Sequence, residues 1–402
     1  FMTRLSVTRT SLKNHSCLAN VVGSSKENTK LERDLLMTMV IDADAHANEP
    51  DDLFDRYLEK DFKEDGPEVV SIGKVQYWMV EGKLFPRPVG NWGHGTPNGY
   101  LFKKGKPDMA INAPGLDDVE GRLKDLDKEG IDIQVAYPNI MAMASHLDNG
   151  DLAAAMCRAY NNYTAEKSKV FDGRVRGIAA VPLQKPEEAA KELRRAIKDL
   201  GLVGTVVTGT VGSRNLDDPY FDPFFREANE LGAAVGVHWI TGCFDSPGQE
   251  RFKDPYFYIH MVGMPFNLMI GIMTLIGGGI MEKYPRIKFV FLEIGAAWLP
   301  YWMWRMDDHY SRSMHHPAGV PRKPSDYVRS DSCFVSCEPD EDGLAHTTEV
   351  IGTERIVFAS DYPHGDCDFP HSVVKFRRRT DISEEIKGRI LWDNAARLYG
   401  IS

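Results

Sequence analysis

A (β/α)8 barrel is the fold class the sequence predicts, and three observations predict it. Roughly eight short stretches are almost continuously apolar, as parallel strands covered on both faces are. Each is followed by a helical pattern or by a turn leading into one, which is the order of a βα repeat. The first stretch, Val40-Ile41, runs into Asp42-Ala43-Asp44-Ala45-His46, where a doubly wound nucleotide-binding sheet would carry a glycine-rich phosphate turn. An open doubly wound sheet is the second choice. The length of 402 residues accommodates one large barrel with insertions.

The elements follow in order. Residues 1–36 are polar and mixed in charge, with no apolar core of signal-peptide length, and read as a flexible N-terminal tail ahead of a start near Met37 or Met39. The remainder, 37–402, reads as the barrel. Strand 1 ends at Pro50, which cannot continue a ladder. From 51 to 114 the chain is rich in Gly, Pro and aromatics and reads as an insertion or lid after strand 1, with Val75–Val80 in a hairpin and His94 between two glycines. Val119, Leu123 and Leu126 share one helical face before the stop at Gly130. Strands then follow over 131–137, 175–181, 204–208, 233–239, 288–293, 332–336 and 355–361. The intervening helices include one opened by Pro186 and a last one from about Ser383 to Tyr399.

Composition narrows the function classes. A 43% hydrophobic, 26% charged chain of net charge −10 is an ordinary globular protein. Its one basic block, Arg377-Arg378-Arg379, is too small to mark a nucleic-acid partner. Six scattered cysteines without a CxxC imply free thiols and a cytoplasmic setting. Met261–Met281 carries no charge and is long enough to span a bilayer, but Pro265, Asn267 and Gly277-Gly278-Gly279 make a buried or subunit-interface helix the expectation. A homodimer or higher homo-oligomer with no membrane association follows from that.

In a (β/α)8 barrel the chemistry sits at the C-terminal ends of the strands. The polar residues there are Asp44 and His46 on strand 1, His238 on strand 5, Glu293 on strand 6 and Asp361 on strand 8. Asp44 and His46, two apart, share one face of an extended strand. Three carboxylates converging with no lysine nearby (strand 4 ends in Thr208) repel one another unless a cation is bound. All five are therefore expected as metal ligands. Beside them Trp239, Trp298, His260, His364 and His94 are the candidates for substrate contact, His364 either orienting Asp361 or opening a helix.

Several stretches together resemble the amidohydrolase superfamily, in the branch that includes aminocarboxymuconate-semialdehyde and resorcylate decarboxylases. They are Ile41–His46 with Glu49-Pro50, Asp217–Pro223, Val237-His238, Phe291–Trp298, Ser360-Asp361-Tyr362-Pro363-His364 and Asn394–Gly400, within a resemblance that runs from Val40 to Ile401. The resemblance implies a distorted barrel with one or two divalent ions, zinc foremost and iron or manganese next. It places His46, His238 and Asp361 on ligand positions and Asp44 where the first histidine of His-x-His falls. The decarboxylases usually place a histidine where this chain has Glu293. Hydrolysis of an amide, ester, thioester or lactone by a metal-activated water, with Asp361 and Glu293 as proton carriers, is therefore the expected reaction on a small-molecule substrate. Non-oxidative decarboxylation of an aromatic or unsaturated acid is the alternative, and a catalytically silent barrel the third.

Overall fold

The computed structural model describes residues 38–73, 75–89, 111–239, 248, 251–252, 256–312 and 316–402. The tail 1–36 and His94 lie outside them.

Strand β1 (Ile41–Ala47) is buried along its whole length. The following stretch holds a short helix, Leu53–Tyr57, and three antiparallel strands, β2 (Glu68–Ile72), β3 (Val75–Val80) and β4 (Lys83–Pro88), which among the described residues pair only with one another. Trp78 anchors this small sheet: it is fully buried, meets Phe54 edge-on at 4.6 Å, and its Nε1 donates to Asp51 O.

The parallel strands come next. They are β5 (Ile133–Pro138), β6 (Val175–Gly177), β7 (Gly204–Val207), then, after the small hairpin β8 (Thr210–Val211) and β9 (Arg214–Asn215), β10 (Ala234–Val237), β11 (Lys288–Phe291), β12 (Cys333–Cys337) and β13 (Ile356–Phe358). All pair in parallel and in chain order, as β1-β5-β6 and β7-β10-β11-β12-β13. The expected eight strands are present in number, order and direction, and β7, β10 and β12 are buried at every position.

One correction concerns continuity: the strands form two ladders of three and five, not one unbroken ring. The joins are made differently. Between β6 and β7 a single bridge, Ala179 to Thr205, is flanked by Val203 N to Gly177 O and Ala179 N to Gly204 O. Beside β13, the Asp42 carboxylate accepts from Ser360 N, a role a ladder carbonyl would take. Further on, Asp361 N donates to Asp44 O and His46 N to Tyr362 O. A side chain substitutes for backbone at this seam, and β1 bulges between Asp42 and Ala45.

The helices start and stop where the sequence signals lie. Asp118 caps Val119–Glu129 by accepting from Gly121 N, and Gly130 ends it at φ 83°. The uncharged helix runs Tyr256–Gly277 and breaks at the glycines. It is long and apolar enough to cross a membrane, and half of its apolar window is buried inside the protein. The last helix differs from expectation: a π-helical turn, Arg389–Asp393, separates Glu384–Gly388 from Asn394–Tyr399. Cys157, Cys333, Cys337 and Cys367 are buried free thiols, as expected.

Arg122 is the main buried cation behind β1. Fully buried, it donates to Gln134 Oε1, to the carbonyls of Ala113 and Pro114, and to His46 O at 2.8 Å. Its guanidinium lies 4.5 Å from the centre of the Tyr362 ring. Gln134 passes the polarity on, its Nε2 donating to Asp42 Oδ2. Arg122→Met would remove every hydrogen bond the guanidinium makes to four buried acceptors, and unfolding in urea should show a loss of about 3 kcal/mol or more. A loss under about 1 kcal/mol would mean the network carries little of the fold.

Candidate metal centre

Asp42, Asp44 and His46 alternate along β1, and the strand ends of β10, β11 and β13 bring His238, Glu293 and Asp361 to the same place. His46 Nε2 lies 3.3 Å from Asp361 Oδ1 and 3.9 Å from Asp44 Oδ1. His238 Nε2 lies 3.8 Å from Asp44 Oδ2 and 3.3 Å from Glu293 Oε2. The structure therefore brings together all five residues expected as ligands. It adds His364, whose Nδ1 is 2.7 Å from Asp361 Oδ1 and whose ring stacks on His46 at 4.1 Å.

Two sets of three, Asp44 with His46 and His238, and His46 with Asp361 and His364, each offer ligand atoms within 4.8 Å of one another.

The histidine tautomers follow from their outer partners. His46 Nδ1 faces Pro138 O at 3.2 Å and His238 Nδ1 faces Trp239 O at 2.5 Å. A carbonyl only accepts, so Nδ1 carries a proton in each, and Nε2, the ring atom facing the carboxylates, is the one that would present its lone pair to a bound cation.

The donor set fits a divalent cation. Asp44 is 1% exposed and neither of its oxygens accepts a hydrogen bond. A buried carboxylate so placed is expensive unless a cation is beside it. Burial, with Asp361, Asp42 and Glu338 nearby, pushes its carboxyl well above the usual range. Burial acts the same way on Asp361, but His364 and His46 override it and hold that group well below the usual range. Two neighbouring carboxylates are thus driven in opposite directions, a pattern of functional sites. A divalent ion would remove the penalty on Asp44.

Backbone strain marks the same spot. Glu293 (φ 70°) and Asp361 (φ 56°) both sit in the left-handed region, which non-glycine residues rarely adopt. Both are within three residues of a strand's end, and the turn aims their carboxylates back at His238 and His46.

The other candidates are distributed unevenly. Trp239 is buried and supplies the carbonyl that orients His238, and its ring meets His260 edge-on at 6.1 Å. His260 lines a cavity of about 210 Å3 next to Glu293 and Asp361. Trp298 is half-buried, donates to Gly295 O, and is not among the described residues lining that cavity.

Sequence reasoning missed Glu338, which lines the cavity immediately after β12. Burial and the charges of Asp361, Glu341, Asp366 and Asp368 push its carboxyl up to about 8. Collecting the polar residue past strand 7, as was done for four other strands, would have found it. It also missed Asn139, whose Oδ1 faces His364 Nε2 at 3.0 Å, and no local signal marks that residue. Glu49 has a structural role: its Oε1 accepts from Ile140 N and Met141 N, pinning the loop after β5.

A family model for amidohydrolases matches residues 41–401. The chain belongs to the amidohydrolase family.

Among its relatives are two enzymes whose lengths it largely covers. The 2-amino-3-carboxymuconate-6-semialdehyde decarboxylase of Dictyostelium discoideum is 28% identical over 286 residues, 71% of this chain and 77% of that protein. The gamma-resorcylate decarboxylase of Polaromonas sp. is 29% identical over 317 residues, 76% and 93% of the two chains. A solved dihydroxybenzoic acid decarboxylase from Polaromonas sp., with bound manganese and an inhibitor, superposes at TM-score 0.60 and 26% identity over 74% of this chain and 91% of that one.

These relatives overturn the expectation of hydrolysis. Relatives in this family are decarboxylases, and the substitution at Glu293 does not by itself identify a hydrolase. Zinc as the expected metal likewise finds no support, whereas a divalent ion does.

His238→Ala should lower the divalent-metal content of purified protein, read by elemental analysis, from about one ion per chain to a small fraction of that. Glu293→Gln should leave it unchanged if one ion binds and remove about one ion per chain if two do. Unchanged content in His238→Ala would dismiss the ligand set.

Proposed function

We propose that this amidohydrolase is a manganese-dependent, non-oxidative decarboxylase of a small aromatic or unsaturated carboxylic acid. The observation that carries the reading is the decarboxylase activity named for relatives aligned over more than 70% of the chain, together with a ligand cluster that fits a divalent ion. Manganese is favoured because the set is rich in carboxylate oxygen, and because the solved relative holds it.

A divalent ion held by Asp44, His46, His238 and Asp361 would supply a Lewis acid that fixes an anionic substrate and offsets its charge. The rest is proton chemistry. In decarboxylation the bond between the carboxyl carbon and its neighbour breaks and carbon dioxide leaves. The electron pair stays on the neighbouring carbon and must take a proton. The Asp361–His364 pair is placed to hold and deliver that proton, with His364 fixed on its far side by Asn139. Glu293, 3.9 Å from His364 Nδ1, is the second carboxylate within reach. No electron acceptor is needed, and burial of the ligands keeps bulk water from competing for the carbanion-like carbon.

Manganese-loaded protein incubated with gamma-resorcylate and related hydroxybenzoates in D2O should release carbon dioxide and leave one deuterium at the vacated carbon. His364→Gln should lower kcat by roughly a hundredfold or more. Turnover of esters or lactones with no carbon dioxide from any acid would overturn the reading.

A homo-oligomer is proposed alongside it. Phe257, Met261, Phe266 and Met273 on the uncharged helix and Tyr301 and Trp304 on the neighbouring helix Leu299–Tyr310 are each 41–64% exposed. Trp302 Nε1 donates to Met269 O and ties the two helices together. An apolar face of this kind is covered in most soluble proteins. Sedimentation should show at least a dimer, and Trp304→Glu with Met261→Glu a monomer. Recovery only with detergent would favour a membrane surface.

A further inference from the structure

Two histidines of the metal centre lean on one short loop. The β1–β5 ladder ends where Ala47 pairs with Pro138. Pro138 O faces His46 Nδ1 at 3.2 Å, and the next residue, Asn139, turns its Oδ1 to His364 Nε2 at 3.0 Å. The outer nitrogens of both rings therefore depend on where residues 138 and 139 lie.

A carboxylate from beyond the end of β1 holds that loop. Glu49 Oε1 accepts from Ile140 N at 2.8 Å and from Met141 N at 3.0 Å. One side-chain oxygen thus continues the pairing of the two strands past the end of their ladder. Ile140 and Met141 stand at the start of the turn Met141–His146, and both are fully buried. Water does not reach their N–H groups. Left without an acceptor, each would cost about 1–3 kcal/mol, and the relief open to the loop is to shift. Any shift carries Pro138 O and Asn139 Oδ1 with it. The anchor itself has little freedom: Glu49 is 1% exposed, and Pro50 disfavours a helical backbone at the residue before it.

We propose that Glu49 is a positioning residue, which through residues 138–141 turns the ring of His46 toward the cation and the ring of His364 toward Asp361. It is not among the described residues lining the cavity beside the centre, and it acts through Pro138 and Asn139. Outer partners of this kind fix the orientation of a ligating imidazole, and their loss typically lowers metal affinity or activity ten- to a hundredfold. The part played by His364 rests on the decarboxylase reading, whereas the part played by His46 belongs to metal binding alone.

The test is the manganese affinity of the full chain, read by titration calorimetry, with the electron paramagnetic resonance spectrum of the bound ion as a report on ligand geometry. Glu49→Asp and Glu49→Ala withdraw the acceptor, and Glu49→Gln leaves an oxygen at the same reach. The first two should weaken manganese binding about tenfold or more and alter the spectrum, while Glu49→Gln should stay within about threefold of the parent. On an acid that is turned over, they should lower kcat at saturating manganese about tenfold, with KM changed less. Leu193→Ala, in the buried face of the helix Pro186–Lys198, controls for lost stability and should bind manganese as the parent does. Unchanged affinity in both short variants, a loss in Glu49→Gln or Leu193→Ala as large as theirs, or failure of both short variants to fold would overturn the inference. If affinity and spectrum change as expected while no acid yields carbon dioxide, the decarboxylase reading fails and the positioning of His46 stands.

Discussion

Negative charge gathered in a buried place is the constraint on which the rest of this structure depends. Asp44 lies in the interior with both oxygens lacking hydrogen bonds, and Asp361, Glu293 and Glu338 approach the same space. Such a cluster is tolerable only when protons or cations offset it. The surroundings are arranged accordingly: His46 and His238 each have the far nitrogen fixed on a carbonyl, which turns the near one toward the carboxylates and toward any cation held among them. His364 sits against Asp361 and keeps it ionised. The left-handed backbone at Glu293 and Asp361 is the strain accepted to aim two acids inward.

Behind the site a second, fully paired network holds the ligand-bearing strands in place. Arg122 bonds the carbonyl of His46, stacks on Tyr362 next to Asp361, and reaches Asp42 through Gln134. Asp42 in turn takes Ser360 N and Oγ. Burial pushes its carboxyl up to about 6, so the hydrogen bonds from Ser360 and Gln134 only partly offset desolvation. The seam between β1 and β13 is thus closed by these side chains together with two backbone bonds, Asp361 N to Asp44 O and His46 N to Tyr362 O. Ligand geometry and fold stability are coupled at that seam, since the same residues serve both.

The same ligand set is compatible with activating water and with holding a carboxylate. Ligand chemistry alone therefore did not separate hydrolysis from decarboxylation. Reading Glu293 as a hydrolase mark gave one substitution more weight than it could bear.

The sequence by itself determined the repeat of buried strands and helices, because parallel strands covered on both faces must be apolar throughout and caps and stops are local. It also determined Asp44, His46, His238, Glu293 and Asp361, since the residue following each apolar run falls at the same end of a parallel sheet. Tertiary structure alone decided the rest. Asn139 reaches His364 across 225 positions, Arg122 serves the carbonyl of His46 from 76 away, and the Asp42 carboxylate takes Ser360 N from 318 residues away. Periodicity reports which way a side chain faces along its own element. It carries no information about which distant partner that side chain meets, because the closing of the fold sets that distance.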